Sequence, residues 1–201
     1  MTRAIASEPR VLSDVFSSSR VKDVILVVAY AGFIGLSAQF VIHLPFTPVP
    51  ITGQTFAVLL GASMLGPIRS VLGAGFYLVL GLAGLPWFAG GTGGFSIVSA
   101  PSFGYLVGFV VAAMIVGAMA QRGFDKGVAG TAAEMVIGNL VIYAFGLIWL
   151  SHALGVSFAK AVSLGATPFL VGDLLKLVLA AVLLPSMWKL SDRFNGSGDE
   201  R

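Results

Sequence analysis

Long uncharged stretches constrain the fold of this chain more than any single motif does. The sequence is 57% hydrophobic and only 10% charged, with a mean hydropathy of +0.94, whereas a typical soluble domain is about 25% charged. A helix needs about 20 consecutive apolar residues to cross a bilayer. The pattern therefore predicts an all-α membrane protein, a compact bundle of six transmembrane helices. The predicted helices cover residues 24–42, 53–66, 69–85, 102–121, 129–151 and 167–190.

The two ends of the chain differ in composition from the apolar region between them. Residues 1–23 are rich in charged residues and serines, and they predict a cytoplasmic N-terminal tail instead of a cleaved signal peptide. Residues 24–190 are predicted to form one transmembrane domain that binds a ligand, and residues 191–201 a cytoplasmic C-terminal tail. The helix at 53–66 is short for a hydrocarbon core of about 30 Å, so it is expected to start deeper or to rest against a re-entrant segment.

The basic residues predict which way the bundle faces. If the N-terminus is cytoplasmic, the external loops carry a single basic residue, Lys160, while Lys176 lies inside the membrane. All the others then fall on the cytoplasmic side, as the positive-inside rule requires. Both termini are therefore predicted to be cytoplasmic. The cytoplasmic set is Arg3, Arg10, Arg20, Lys22, Arg69, Arg122, Lys126, Lys189, Arg193 and Arg201.

Asp173 and Lys176 interrupt the otherwise apolar segment 168–184. Three residues apart on a helix, the two side chains share a face, and ionisable groups in a membrane helix usually face the bundle interior or a polar cavity. One interpretation is a structural salt bridge between helices. The other, which is favoured, is a ligand site: a carboxylate accepts N–H bonds while an ammonium donates to a carbonyl, which would suit a planar cyclic urea or amide.

Two loops predicted on the external side carry no charge when His43 is neutral. They cover residues 43–54 and 86–103 and are dense in Pro, Gly and aromatic residues, which predicts that they fold over a pocket open to the outside. The cluster Gly-Gly-Thr-Gly-Gly at 90–94 is not a P-loop, because no Gly-Lys-Ser/Thr follows it. Its backbone N–H groups could hold an anion such as a carboxylate, or the cluster could be only a hinge.

Further polar side chains near the outer ends of the predicted helices would reach the same pocket, although each could also be a packing residue. Glu134 lies nearer the cytoplasm, and a structural role is favoured for it, with the carboxylate snorkelling or pairing with a cytoplasmic Lys or Arg. The pocket candidates are Gln54, Thr55, Tyr77, Tyr105, Asn139 and Tyr143.

Ala31, Gly35 and Ala38 form a stripe of small residues on the first predicted helix. Such stripes let another helix approach closely. Close packing matters in lipid because no hydrophobic driving force holds the helices together. The sequence leaves open whether the partner is a helix of this bundle or another subunit.

Several kinds of chemistry lack their usual residues. The chain has no Cys, which excludes disulfides and thiolate metal sites, and no Walker motif or Ser-His-Asp arrangement stands out. The sequence therefore predicts no metal, no cofactor and no enzymatic activity, so energy for any uphill transport must come from a partner. A membrane-embedded enzyme or scaffold, with Glu134 or Asp173 as a catalytic carboxylate, is the alternative.

Six motifs, in a fixed order along residues 24–190, resemble those of a known family. They are PVPITGQT at 48–55, LGP at 65–67, GLAGLP at 81–86, GGTGGF at 90–95, PSFGYLVGF at 101–109 and GDLLK at 172–176. Their order and spacing resemble the BioY family, the biotin-specific substrate-binding (S) components of energy-coupling-factor (ECF) transporters.

The resemblance implies a subunit of the prokaryotic cell membrane that captures biotin from the outside. It also implies partnership with a membrane coupling (T) protein and two cytoplasmic ATPases, which use the ATP, and no nucleic-acid partner. Asp173 and Lys176 would bind the ureido ring of biotin. An S component for a different vitamin is a further alternative.

The resemblance also implies roles for the glycine-rich loop and the small-residue stripe. Gly91, Thr92, Gly93 and Phe95 would close over the ligand near its valerate chain. Ala31, Gly35 and Ala38 would face the coupling protein. Some relatives have Arg in the loop where this chain has Thr92, which leaves open whether backbone N–H groups, the Thr92 hydroxyl or another side chain binds the carboxylate.

Overall fold

The structure, a computed structural model, describes residues 11–15 and 19–196, with side chains to residue 193, and this part of the chain is predominantly α-helical. The predicted helical fold class is confirmed. A short antiparallel ladder pairs β1 (Val41–Ile42) with β2 (Ile51–Thr52). The helices are α1 (Arg20–Ser37), α2 (Gln54–Leu65), α3 (Pro67–Leu82), α4 (Phe103–Ala120), α5 (Val128–Leu154), α6 (Phe158–Gly165) and α7 (Leu170–Gly196).

The length and the surface of the helices are those of a membrane protein. Among the described residues, three segments are long and apolar enough to cross a bilayer, 103–120, 128–154 and 158–193, while α2 and α3 are apolar but shorter. Large apolar side chains point outward along α7, where Val171 is 73% exposed. Extended apolar surface of this kind is unusual on a soluble monomer and suits contact with lipid. Six complete crossings remain a prediction.

The first helix is displaced toward the N-terminus from its predicted position at 24–42. It begins at Arg20 because the Ser19 hydroxyl caps it, accepting a hydrogen bond from the Lys22 amide at 3.2 Å, and a capped end tolerates charged residues in its first turn. The helix ends at Ser37 because residues 41–42 pair with residues 51–52 in the ladder. Apolar character alone does not distinguish these two uses of residues 38–42.

The C-terminal part of the chain contains a helix that the sequence did not predict. This helix, α6, is capped by Ser157, whose hydroxyl accepts from the Lys160 amide at 3.3 Å. The last predicted helix, 167–190, is a 3-10 turn at Thr167–Phe169 followed by α7. Helix α7 runs past the predicted start of the C-terminal tail. Residues 1–10, 16–18 and 197–201 of the predicted tails lie outside the described residues.

The connections fall alternately at the two ends of the bundle. We call the end formed by 38–53, 83–102 and 155–169 the hairpin end. The other end, formed by the N-terminal turn 11–15, Gly66 and residues 121–127, we call the Arg69 end. The candidate ligand residues on α7 lie in its first two turns and are therefore at the hairpin end.

Close approach between α4 and α5 forms the most extensive helix contact in the bundle. It depends on glycines of α4: a Cβ added at Gly104 would lie 2.5 Å from the Phe145 carbonyl oxygen, and one at Gly108 would lie 3.0 Å from Ile142 Cα. The backbones are thus closer than any larger residue would allow, which increases van der Waals contact where lipid offers no hydrophobic driving force.

The small-residue stripe of α1 also serves contacts inside this bundle. Ala31 and Ala38 are fully buried, and a Cβ at Gly35 would lie 3.0 Å from the Trp87 ring. The sequence left open whether the stripe packs within this bundle or against another subunit, and in this structure it packs within the bundle. Their side of α1 is covered in this structure, and the contact of Ala31, Gly35 and Ala38 with a coupling protein stays a prediction.

The Arg69 end is closed by an ion-paired arginine. The Arg69 guanidinium donates to Asp14 Oδ1 at 2.7 Å and to Asp23 Oδ1 at 2.8 Å, which connects α3 to α1 and to the N-terminal turn. Val11 and Leu12 of that turn are buried. Residues 11–15 are therefore packed against the bundle, although the sequence predicts them as part of a cytoplasmic tail.

Two buried carboxylates lie near the Arg69 end. Trp188 Nε1 donates to Asp125 Oδ2 at 2.6 Å, and the Ser63 hydroxyl donates to Glu134 Oε2 at 2.7 Å. Both carboxylates are fully buried. The prediction that Glu134 snorkels or pairs with a Lys or Arg is wrong, because its side chain is buried and faces Ser63 of α2. The hydrogen bond to Ser63 agrees with the structural role that the sequence favoured.

Burial raises the pKa of the Asp125 carboxyl to about 6, although the Trp188 N–H and the nearby Lys126 act to lower it. In the unfolded chain an Asp has a pKa of about 4. Between these values the folded protein binds more protons than the unfolded chain. The contribution of Asp125 to the free energy of unfolding therefore falls as the pH rises from about 4 to about 6, by up to about 3 kcal/mol, and is level above that.

We expect the substitution Asp125→Asn to remove this loss, because an amide oxygen still accepts from Trp188 and cannot ionise. The thermal midpoint of the variant in detergent should gain on that of the wild type between pH 4 and pH 6, with a constant difference above pH 6. Asp192→Asn, at an exposed carboxylate of α7, is the control. Parallel pH profiles for wild type and Asp125→Asn would contradict the prediction.

Candidate functional site

A cavity of about 220 Å³ opens at the hairpin end of the bundle. Its walls come from α2, α4, α5 and α7, and segments 49–52 and 88–102 cover it. The predicted folding of the two uncharged loops over a pocket is thus seen in the structure. Of the predicted site residues, those that line the cavity are Gln54, Thr55, Thr92, Tyr105, Asn139, Tyr143, Asp173 and Lys176.

Asp173 and Lys176 form the charged part of the cavity wall. Lys176 Nζ lies 3.4 Å from Asp173 Oδ1 and donates to Thr55 Oγ1 at 2.8 Å. The Tyr143 hydroxyl donates to the other carboxylate oxygen, Asp173 Oδ2. Helices α2, α5 and α7 therefore meet in one polar network, and the carboxylate is held with one oxygen toward Lys176.

Gln54 begins α2 and is only 3% exposed. Its Nε2 donates to the Tyr77 hydroxyl at 2.7 Å, and its Oε1 accepts from the Thr52 hydroxyl at 3.1 Å. The amide is thus oriented from behind by Tyr77, which is not itself in the cavity wall. Tyr77 packs against the rings of Trp87 and Phe88, so the structure supports a positioning role for it more than direct contact.

Tyr105 and Asn139 reach the cavity from α4 and α5. The Tyr105 hydroxyl donates to the Gly165 carbonyl at 2.8 Å, which ties α4 to α6, while its ring covers Gly146. The Asn139 side-chain amide lies one turn before Tyr143 and makes no hydrogen bond to any residue that the structure describes. Asn139 therefore keeps both donors and an acceptor for a ligand.

The glycine-rich loop is folded on itself at the cavity mouth. Phe88 N donates to the Thr92 carbonyl at 2.9 Å, and the Thr92 hydroxyl donates to the Ala89 carbonyl at 3.0 Å. This tight turn requires positive φ at Gly90 (69°) and Gly91 (70°), a conformation that favours glycine. Thr92 lines the cavity, whereas Gly91 does not.

Two other predicted loop residues also lie away from the cavity. Gly93 packs against the backbone of Leu85, where a Cβ would lie 2.5 Å from the carbonyl oxygen. Phe95 is 75% exposed on the outside of the loop. Direct ligand contact by Gly91, Gly93 and Phe95 therefore stays a prediction that would need the loop to move.

The sequence did not predict most of the apolar wall or the hydroxyl residues Thr52 and Ser102. Ser102 ends the loop just before α4, and its side chain makes no hydrogen bond to a described residue. No motif or spacing singles out these residues, because their common property is the place at which separate segments meet. The wall residues not predicted include Val49, Phe88, Ile97, Ser102, Leu106, Phe109, Ile142 and Phe169.

The cavity is electrically almost balanced. Among the described lining residues, Asp173 and Lys176 are the charged ones, and they pair with each other. A carboxylate beside an ammonium, within an apolar wall, can bind a flat group that presents N–H donors next to a carbonyl acceptor.

Comparison with known proteins identifies the family of this chain. Residues 8–193 match the model of the BioY family. The chain is 35% identical over 170 residues to "Biotin transporter BioY" of Rhizobium etli, which covers 81% of this chain and 90% of that relative. It is 38% identical over 149 residues to the biotin transporter BioY of Thermotoga maritima, covering 74% and 86% of the two chains. The chain therefore belongs to the BioY family.

A solved structure shows the same fold. It is a crystal structure of the S-component for biotin from an ECF-type ABC transporter. The match has a TM-score of 0.77 and 24% sequence identity, and covers 86% of this chain and 95% of the other. At this identity the likeness concerns the fold of the helical bundle.

Gly81 of α3 lets the Phe88 ring reach the cavity wall, because a Cβ there would overlap that ring. We expect Gly81→Ala to displace Phe88 and to destabilise the protein by about 1–3 kcal/mol, seen as a lower thermal midpoint in detergent. Gly75→Ala on the same helix is the matched control, since nothing lies within 4 Å of the added Cβ. Equal midpoints for the two variants would show that Phe88 has room to move.

Proposed function

We propose that this protein is the biotin-binding S component of an ECF-type uptake transporter in a prokaryotic cell membrane. The observation that carries the proposal is the Asp173–Lys176 pair, which supplies the charged groups in the described wall of a mainly apolar cavity. Membership of the BioY family, with relatives named as biotin transporters, supports biotin over other vitamins. The protein acts in transport and is not an enzyme.

The polar network suits the ureido ring of biotin. Asp173 accepts from ring N–H groups, and Lys176 donates to the ring carbonyl. Tyr143 and Thr55 hold these two side chains in place, which reduces the cost of ordering them when the ligand binds. The apolar wall, including Phe109 and Ile142, covers the rest of the bicyclic ring.

The proposed topology places the hairpin end outside the cell. Residues 24–190 then form the ligand-binding domain with six crossings, flanked by cytoplasmic tails, so that both termini are cytoplasmic. The distribution of basic residues supports this orientation. Biotin would enter from the outside, past the mouth formed by the hairpin and the glycine-rich loop.

Transport by this subunit requires partners that supply energy. We propose a membrane coupling (T) protein and two ATPases, which hydrolyse the ATP. Because Ala31, Gly35 and Ala38 face the interior, the surface of α1 left for the coupling protein is the opposite one, with Val28 and Leu36 exposed. A contact through the original stripe would require α1 to separate from Trp87.

The substitutions Asp173→Ala and Lys176→Met test the site. Each removes one partner of a buried pair and leaves the other without its counter-ion, so we expect biotin affinity to fall at least about 100-fold, near 3 kcal/mol. Calorimetry on detergent-purified protein measures it. Asp192→Ala and Lys189→Met are controls, since both residues are exposed on the same helix. Normal binding by Asp173→Ala, or none by folded wild type, would refute the proposal.

The orientation can be tested with single cysteines, since the native chain has none. In intact cells, Lys160→Cys should react with a membrane-impermeant maleimide, whereas Arg122→Cys should react only after the cells are opened. Both positions are exposed and lie at opposite ends of the bundle. The reverse labelling pattern would invert the topology.

A further inference from the structure

In the part of the chain that the structure describes, the cavity offers no free positive charge for the carboxylate of a ligand. Lys176 is the cation in its described lining, and its Nζ already donates to Thr55 and pairs with Asp173. Arg69 lies at the opposite end of the bundle, bonded to two carboxylates, and Lys160 is exposed on α6 outside the lining. A bound carboxylate would therefore have no counter-ion beyond the pair that holds the ring.

The neutral polar side chains of the cavity do not select for a carboxylate either. The Thr92 hydroxyl gives its proton to the Ala89 carbonyl, so toward a ligand it acts as an acceptor. The Asn139 amide provides an acceptor as well as two donors, and the Ser102 hydroxyl can act in either sense. Ligand N–H groups are as well served by these groups as carboxylate oxygens are.

Thr92 lies where the cavity meets water. Thr92 is exposed and also lines the cavity, so it lies at the cavity mouth. A ligand group next to it keeps contact with water, and an ion pair or a carboxylate in contact with water contributes little to binding at ordinary salt. The charge at that end of the ligand therefore has little effect on the binding free energy.

We propose that the site recognises the ring of its ligand and not the charge of its side-chain carboxylate, so that neutral amides and esters of biotin bind about as well as the acid. The inference rests on the proposed function for the identity of the ring. Carboxyl-modified derivatives of biotin are then a second class of ligand for the same cavity. Asp173 and Lys176 would select the ring of these derivatives as they select the ring of biotin.

Calorimetry with three ligands tests this inference: biotin, biotin amide and biotin methyl ester, each titrated into the detergent-purified full chain. We expect dissociation constants within about threefold of one another, and little change between low and high salt. Tight binding of biotin with at least tenfold weaker binding of both derivatives would overturn the inference while leaving the proposed function intact. Binding of none of the three would refute both.

A gain-of-charge variant provides the complementary measurement. Thr92→Arg adds a cation at the mouth, where an exposed position accommodates the longer side chain, and should raise the preference for biotin over its amide several-fold in a salt-sensitive way. Thr92→Gln is the neutral control and should leave the preference unchanged. If wild type already shows the salt-sensitive preference expected of Thr92→Arg, a cation reaches the ligand and the inference fails.

Discussion

The ion pair between Asp173 and Lys176 lies among apolar helices, where an uncompensated charge would cost several kcal/mol. Each member has a second partner from another helix, Tyr143 for the carboxylate and Thr55 for the ammonium. The network therefore fastens α7 to α2 and α5 at the hairpin end, and these helices enclose the cavity. A structural salt bridge and a ligand site, which the sequence presents as alternatives, are here the same set of atoms.

The two ends of the bundle have different roles: ion pairs stabilise the Arg69 end, and the ligand cavity lies at the hairpin end. At the Arg69 end, one guanidinium joins α3, α1 and the N-terminal turn, and no lining residue of the ligand cavity comes from this end within the described chain. At the hairpin end, the cover is made of short strands and a glycine-rich loop, which is closed by its own hydrogen bonds and tied to α3 by the bond from Gly94 N to the Gly81 carbonyl.

Sequence reasoning was most successful where the relevant distance is short along the chain. Asp173 and Lys176 are three residues apart on one helix, so their pairing follows from helix geometry, and Asn139 and Tyr143 lie one turn apart on one face. It was less successful for the glycine-rich loop, where Thr92 lines the cavity but Phe95 points away. A loop has no fixed periodicity, so neighbouring residues cannot be assigned to inside or outside without the tertiary structure.

The helical membrane character, the approximate helix positions and the polar pair can be read from the sequence, because hydrophobicity and i, i+3 spacing are local properties of the chain. The three-dimensional structure is needed to show which side of α1 is covered, that Tyr143 and Thr55 complete the charge network, and that Ser102 and Phe88 share a wall with them. These contacts join residues far apart in sequence. They depend on how closely the helix backbones approach, which is set by the packing of glycines against side chains of other helices and leaves no periodic signal in either segment.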